Sequence, residues 1–292
     1  MVATAAPVSR WLLVEQPGHW GRDALRSRAE PAAASALLAA AASAGVRVVV
    51  IRRPGRAATA QRLRGLPGHP ASDRAWAYVD SRPGSETVRW GRFTDHRQLL
   101  GGPLAGTAGN PDSRPVYLVC AHGRHDACCA IRGRPVAAAL ALLRPDQVWE
   151  CSHVGGDRFA ANAVVLPEGL YYGHLGVHQA GDVVEAYDAG HVVPALLRGR
   201  SSFPSAVQAA QHHARLVLAE RRIAALSPVA VQQSAARSWQ VRLAHDHGIF
   251  TVWVQASYAP PQRLTCSSAF AQPVPVFRCT GWRIDSPVAG PD

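Results

Sequence analysis

The chain has 292 residues, 48% of them hydrophobic and 17% charged, which is enough apolar material for buried cores and excludes a disordered chain. No apolar run reaches the roughly 18–20 residues of a bilayer-spanning helix, and the opening "MVATAAPVSRWLLVEQPGHWGRDAL" lacks the basic start and long apolar core of a secretory signal, so the expectation is a cytoplasmic protein with reduced thiols and no membrane partner. The formal net charge is +11, yet all 31 basic residues are Arg, they are scattered, and no basic run interleaved with aromatics accompanies them, which argues against a nucleic-acid partner.

In chain order, "WLLVEQ" (Trp11–Gln16) reads as a buried strand. "PAAASALLAAAASAG" (Pro31–Gly45) reads as a helix, with Pro at its start and Gly just past its end. The β-branched "VRVVVIRRP" (Val46–Pro54) predicts a strand, and "AWAYVDS" with "TVRWGRF" predicts a hairpin across a Pro-Gly turn. "GGPLAGTAGNPDSRP" (Gly101–Pro115) has no periodicity and is the candidate boundary between two units. Beyond it come a strand (Val116–Cys120), a loop, and a helix beginning at Pro135. A strand (Gln147–Cys151) and a hairpin turning at Pro167–Gly169 follow, then a helical segment near "GDVVEAYDAG". A helix over Ser205–Leu226 leads into a strand-rich tail with a hairpin turning near Asp246–Gly248. No strong internal repeat is evident; that the two α/β units are distant copies of one plan is the weaker reading.

Two clusters carry chemistry. "VCAHGRHDACCAIRGRP" (Val119–Pro135) holds Cys120, His122, His125, Cys128 and Cys129; "CSHVGGDRF" holds Cys151, His153 and Asp157. If the strands ending at Cys120 and Cys151 are parallel neighbours, both clusters lie at carboxyl ends of strands, where open α/β sheets place ligands. Gly155 and Gly156 permit positive φ or a close backbone approach. In a reducing compartment such clusters mean metal or redox chemistry more often than disulfides. The eight residues between Cys120 and Cys129 are too many for a CxxC knuckle and suit a loop around a larger object, such as an iron–sulfur cluster.

Both segments resemble the signature motifs of the sucrase/ferredoxin-like proteins, and "WLLVEQPGHWGRDAL", "RGRSSFPSAVQAAQ" and "RLTC" extend the resemblance over most of the chain. The resemblance implies a thioredoxin-like domain holding a 2Fe–2S cluster and an electron-transfer role with a redox partner protein. In eukaryotic members of the family a Cys-x8-Cys pair holds one iron and the two His of His-Val-Gly-Gly-His hold the other. Cys120 and Cys129 match the pair and His153 the first His, but Asp157 stands where the second His is expected. As its replacement Cys151 ranks first, because strand alternation would put it on one face with His153; Asp157 ranks second and Cys128 third. The expected architecture is α/β: a small unit over 10–100, the thioredoxin-like ferredoxin domain over 114–200, and a helix and β-hairpin extension over 201–292.

Blander readings apply to other residues. Cys266 and Cys279 are expected in a core, since free Cys is among the most buried residue types. His122 and His125 either hydrogen-bond cluster sulfurs or face solvent; His212 and His213 are expected at the surface; Asp126 and Arg158 pair or cap, or Arg158 offsets a negative cluster. Sucrase activity lacks support, because glycoside hydrolysis needs two placed carboxylates, and Glu150 and Glu168 are expected to be structural. The competing functions are structural zinc on the same residues and a cluster-free thiol oxidoreductase using Cys128 or Cys129.

Overall fold

Apolar, β-branched runs form β1 (Arg10–Glu15) and β2 (Arg47–Arg52), joined by α1 (Pro31–Ser43). Glu30 caps that helix by accepting from the N–H groups of Ala32 and Ala33, and Pro31 fits its first turn, where no N–H partner is needed. The computed structural model describes residues 1–27, 29–55, 73–266 and 268–285; residues 56–72 of the expected first unit and 286–292 of the expected extension lie outside these. A hairpin of β3 (Arg74–Asp80) and β4 (Thr87–Phe93) follows. The Gly/Pro-rich stretch expected to be without elements carries a short helix α2 (Gly102–Ala105) and an edge strand β5 (Asn110–Asp112) paired with β4.

The second unit runs β6 (Val116–Cys120), α3 (Ala127–Leu143), β7 (Val148–Cys151), then the hairpin β8 (Ala163–Leu166) and β9 (Leu170–Tyr172). α4 (Ala180–Asp188) and β10 (Leu197–Arg200) follow. The strands form one ten-stranded mixed sheet in the order β10-β9-β8-β6-β7-β2-β1-β3-β4-β5. Each half has the same plan: a parallel βαβ pair whose first strand also pairs antiparallel with a hairpin. β2 and β7 join the halves antiparallel, with Ile51 opposite Cys151.

Side-chain alternation sorts the sheet into two faces. Leu12, Val14 and Val50 pack under α1, and Tyr117, Val119 and Val148 under α3. Trp11, Leu13, Ile51, Leu118, Cys120, Trp149 and Cys151 belong to a third cluster on the opposite face. Across that face the sheet curls on itself: Trp11 meets Tyr171, Trp90 stacks on Trp149, and Arg200 pairs with Glu86 just before β4.

Two helix boundaries differ from expectation. α3 starts at Ala127, and Pro135 lies inside it, because the Asp126 carboxylate accepts from the Cys128 N–H and starts the helix two turns earlier. α5 (Ser205–Leu218) stops short of Leu226, where Ala219 takes a left-handed conformation with φ 52°. Four antiparallel strands complete the chain: β11 (Pro228–Ala235), β12 (Ser238–His245), β13 (Gly248–Gln262) and β14 (Gln272–Asp285). Val241, Leu243, Phe250 and Val252 bury the apolar side of α5. Five α-helices thus occur among the described residues, and none is long and apolar enough to cross a membrane.

Candidate metal centre

β6 and β7 are parallel neighbours with Cys120 opposite Cys151, so both clusters meet at the carboxyl end of this strand pair. Cys120 is the last residue of β6 and Cys129 lies in the first turn of α3; both are buried. Past β7 the chain turns. Ser152 bonds to Val50 through both its backbone and its hydroxyl, and Arg47 donates to the His153 carbonyl at 3.0 Å. The Gly155-Gly156 step, at φ 96° and 82°, then returns Asp157 toward α3.

Four of the sequence-derived candidates come together there. The Cys129 Sγ lies 3.1 Å from Asp157 Oδ1, and His153 Nδ1 lies 2.9 Å from the same oxygen. The Cys129 thiol also faces the Cys120 sulfur, toward which His153 and the His122 backbone N–H are directed. His125 completes the group: its ring stacks on His153 at 3.8 Å, and its Nε2 is 3.5 Å from Asp157 Oδ2. Ligand atoms of His125, His153 and Asp157 all lie within 4.8 Å of one another, a candidate metal-binding group. Cys151 is adjacent but apart: fully buried in the apolar cluster, with its thiol pushed up by burial, it makes no polar side-chain contact among the described residues with His153, Cys129 or Asp157.

The electrostatics follow from burying one carboxylate among thiols and imidazoles. Burial opposes charge on His153, but the Asp157 carboxylate and the Cys120 sulfur outweigh it and raise its pKa to about 9. Burial would raise Asp157, yet His153 and Cys129 hold it below the usual carboxylate value. The Cys129 thiol pulls Cys120 well down, while Cys129 itself is pushed up by that contact. Burial, then the charge on His153, lowers His125.

A pH prediction follows for the metal-free protein. The raised His153 pKa means that its pairing with ionised Asp157 stabilises fully below about pH 6.5 and is lost as pH rises through about 9. The His153 ring should titrate near pH 9 by NMR. The stability gap between wild type and Asp157→Asn in urea unfolding should narrow by on the order of 2 kcal/mol between pH 7 and 10. A midpoint near 6.5 and a constant gap would show that the pair is not formed.

Arg198, on β10, holds the returning loop. Its guanidinium donates to the carbonyls of Gly155 (2.9 Å) and Thr4 (2.5 Å) and to Asn162 Oδ1 (2.8 Å), and burial lowers its pKa to about 10. A Cβ on Gly156 would lie 2.4 Å from this guanidinium, so glycine is needed there for space as well as for φ. The His122 ring is not among the candidate ligands, although its backbone N–H points to the Cys120 sulfur; its Nε2 is 2.7 Å from the Gly21 carbonyl oxygen, beneath Trp20. Arg158 lies over Phe159 and makes no ion pair with Asp126 among the described residues.

Two cysteines depart from expectation. Cys128 and Cys266, 138 residues apart, form a disulfide, so Cys266 is not a core thiol and Cys128 is not a spare ligand. Cys266 is exposed in the turn between β13 and β14, a position that neither burial propensity nor local spacing reveals. Cys279 is free and half-buried against the α5 cluster. His212 and His213 are likewise half-buried rather than on the surface, with burial lowering both pKa values. Glu150 pairs with Arg52 at 2.7 Å, and Glu168 accepts from the Tyr187 hydroxyl at 2.7 Å. A cavity of about 640 Å³ lies at the other end of these strands, lined by Glu15, Trp90 and Trp149 and by none of the donors.

The family model described as sucrase/ferredoxin-like matches residues 1–199, which take in both clusters and the whole ten-stranded sheet apart from Arg200. Neither the curated proteins nor the solved structures yield a match to the chain.

Proposed function

We propose, because the chain belongs to the sucrase/ferredoxin-like family and its two motifs converge on one buried donor set, that it is an electron-transfer protein holding a 2Fe–2S cluster. The ligands would be Cys120, Cys129, His153 and Asp157. The observation that carries this reading is the meeting of Cys129 and His153 on the same Asp157 oxygen, at 3.1 and 2.9 Å. The repeated parallel pair with its antiparallel hairpin supports the thioredoxin-like description of the second unit.

The donor chemistry fits the group. Thiolates are the common ligands of iron–sulfur iron, and imidazole replaces them at irons of higher potential. A carboxylate 5% exposed, on the loop that Arg198 holds through the Gly155 carbonyl, suits the fourth position. Bound there, the cluster supplies a one-electron couple. The chain's own residues shape access to it: Cys120 and Cys129 are about 1% exposed, whereas the His153 and His125 side chains are 29% and 33% exposed. A redox partner protein would therefore dock over the two stacked imidazoles. Glu150 and Glu168 are occupied in structural contacts, which favours a carrier over a hydrolase.

Anaerobic purification should give a coloured protein with iron and acid-labile sulfide in equal amounts, paramagnetic on reduction. Zinc without sulfide, or a colourless protein that stays iron-free after reconstitution, would overturn the proposal. Cys151→Ala should keep the iron and the resonance of the reduced protein, and Asp157→Ala should lose most of both. The reverse result would make Cys151 the fourth ligand.

A further inference from the structure

Residues beyond the family match build α5 and the four-stranded sheet, and one part of that sheet reaches back to the metal centre. β13 packs on α5 through Phe250, Val252 and Val254, but none of its residues from Gln255 to Gln262 is buried. The outer half of the β13–β14 hairpin thus projects from its own core, and β14 buries Val274 alone. Its tip nevertheless has a fixed address. Cys266 is bonded to Cys128, and the Cys266 N–H donates to Asp126 Oδ2 at 2.6 Å. The other oxygen of Asp126, itself 2% exposed, accepts from the Cys128 N–H at 2.8 Å. One buried carboxylate serves the hairpin tip and the start of α3 together.

The anchored segment belongs to the donor set. His125 stacks on His153 three residues before Cys128, and Cys129 faces Asp157 one residue after it. Segment 125–129 is thereby held from two sides, by the donors within and by the hairpin tip without. Cys266 is exposed and Cys128 half-buried, so an external sulfur nucleophile reaches the bond from the Cys266 side.

We propose that Cys128–Cys266 is a thiol–disulfide exchange site for a dithiol reductant, through which the C-terminal hairpin clamps and releases the loop of the metal centre. A thiolate of the dithiol attacks Cys266 Sγ, forming a mixed disulfide; Cys128 leaves and takes up a proton. The second thiol of the dithiol then displaces Cys266, which is protonated in turn. Two protein thiols form, the dithiol becomes a disulfide, and two electrons and two protons have passed to the protein. The exchange itself is independent of the cluster; the effect on metal retention rests on the cluster reading above.

The test uses the full-length protein. Native protein is treated with dithiothreitol or left untreated, acid-quenched, unfolded, alkylated with iodoacetamide and weighed. The untreated protein should carry four labels, on Cys120, Cys129, Cys151 and Cys279, and the treated protein two more. Six labels without treatment, or reduction only after unfolding, would overturn the exchange site. Tryptic cleavage after exposed Arg263 reads release of the tip with or without metal, and reduction should speed it about tenfold. Cys266→Ser should be cleaved at the fast rate without reductant. Equal rates in oxidised, reduced and substituted protein would overturn the clamp. Loss of iron to a chelator should quicken likewise on reduction; a protein isolated without iron would count against the cluster alone, since the label count and the cleavage rate still read the exchange and the clamp.

Discussion

Gly133→Ala should destabilise the protein by about 2 kcal/mol or more and remove most of the metal that the proposed centre would hold. Local propensity predicts the opposite, since Ala is favoured over Gly inside a helix by about 1 kcal/mol. Packing decides the sign. Gly133 lies in α3 where the helix crosses β6, and an added Cβ would sit 2.0 Å from the Cys120 carbonyl oxygen and 3.1 Å from its carbon. Both atoms are strand backbone, so relief requires the helix to move as a body. Cys120 is on the strand and Cys129 on the helix, so the same movement separates the two thiols. Gly181→Ala is the control. It lies in α4 with nothing within 4 Å of the added carbon, so its stability should stay level or rise by up to about 1 kcal/mol. Urea unfolding and metal content per chain check both variants, and a neutral Gly133→Ala would mean that the α3–β6 contact does not set the donor spacing.

The strands that build the site were legible because each is a short β-branched or apolar run, and Val116–Cys120 and Val148–Cys151 end where expected. The start of α3 was misplaced because Pro135 is a strong local signal for a first turn, whereas Asp126 is one capping residue among several polar ones. Ranking Cys151 above Asp157 rested on strand alternation, and that pattern stops at Cys151. Ser152 bonds β2, the chain turns, and the His153 ring meets Asp157 and faces the Cys120 sulfur, whereas Cys151 stays in the apolar cluster. Arg198 carried no local signal, since its contacts with Gly155, Asn162 and Thr4 exist only after β10 and the N-terminal segment are in place. The Cys128–Cys266 bond was hidden for the same reason: 138 residues separate its halves, and Cys266 is brought to Cys128 only by the β13–β14 hairpin whose turn carries it.

Asp157→His should raise the reduction potential of the proposed cluster by on the order of 100 mV while keeping iron at the site. The substitution restores the His-Val-Gly-Gly-His spacing that the sequence otherwise approaches with one carboxylate. It exchanges an anionic ligand for a neutral one and so removes a negative charge that disfavours adding an electron. The same charge balances His153, whose pKa of about 9 depends on Asp157, so the ring of the variant should titrate nearer its ordinary value in metal-free protein. Two shifts in different states then report on one oxygen pair: the potential with metal bound, and the imidazole titration without it. Redox titration followed by electron paramagnetic resonance measures the first and NMR the second. If Asp157 only positions His153, the titration should move while the potential holds. If it is a ligand, both should move, and Asp157→Ala, which supplies neither charge nor donor, should lose most of the metal.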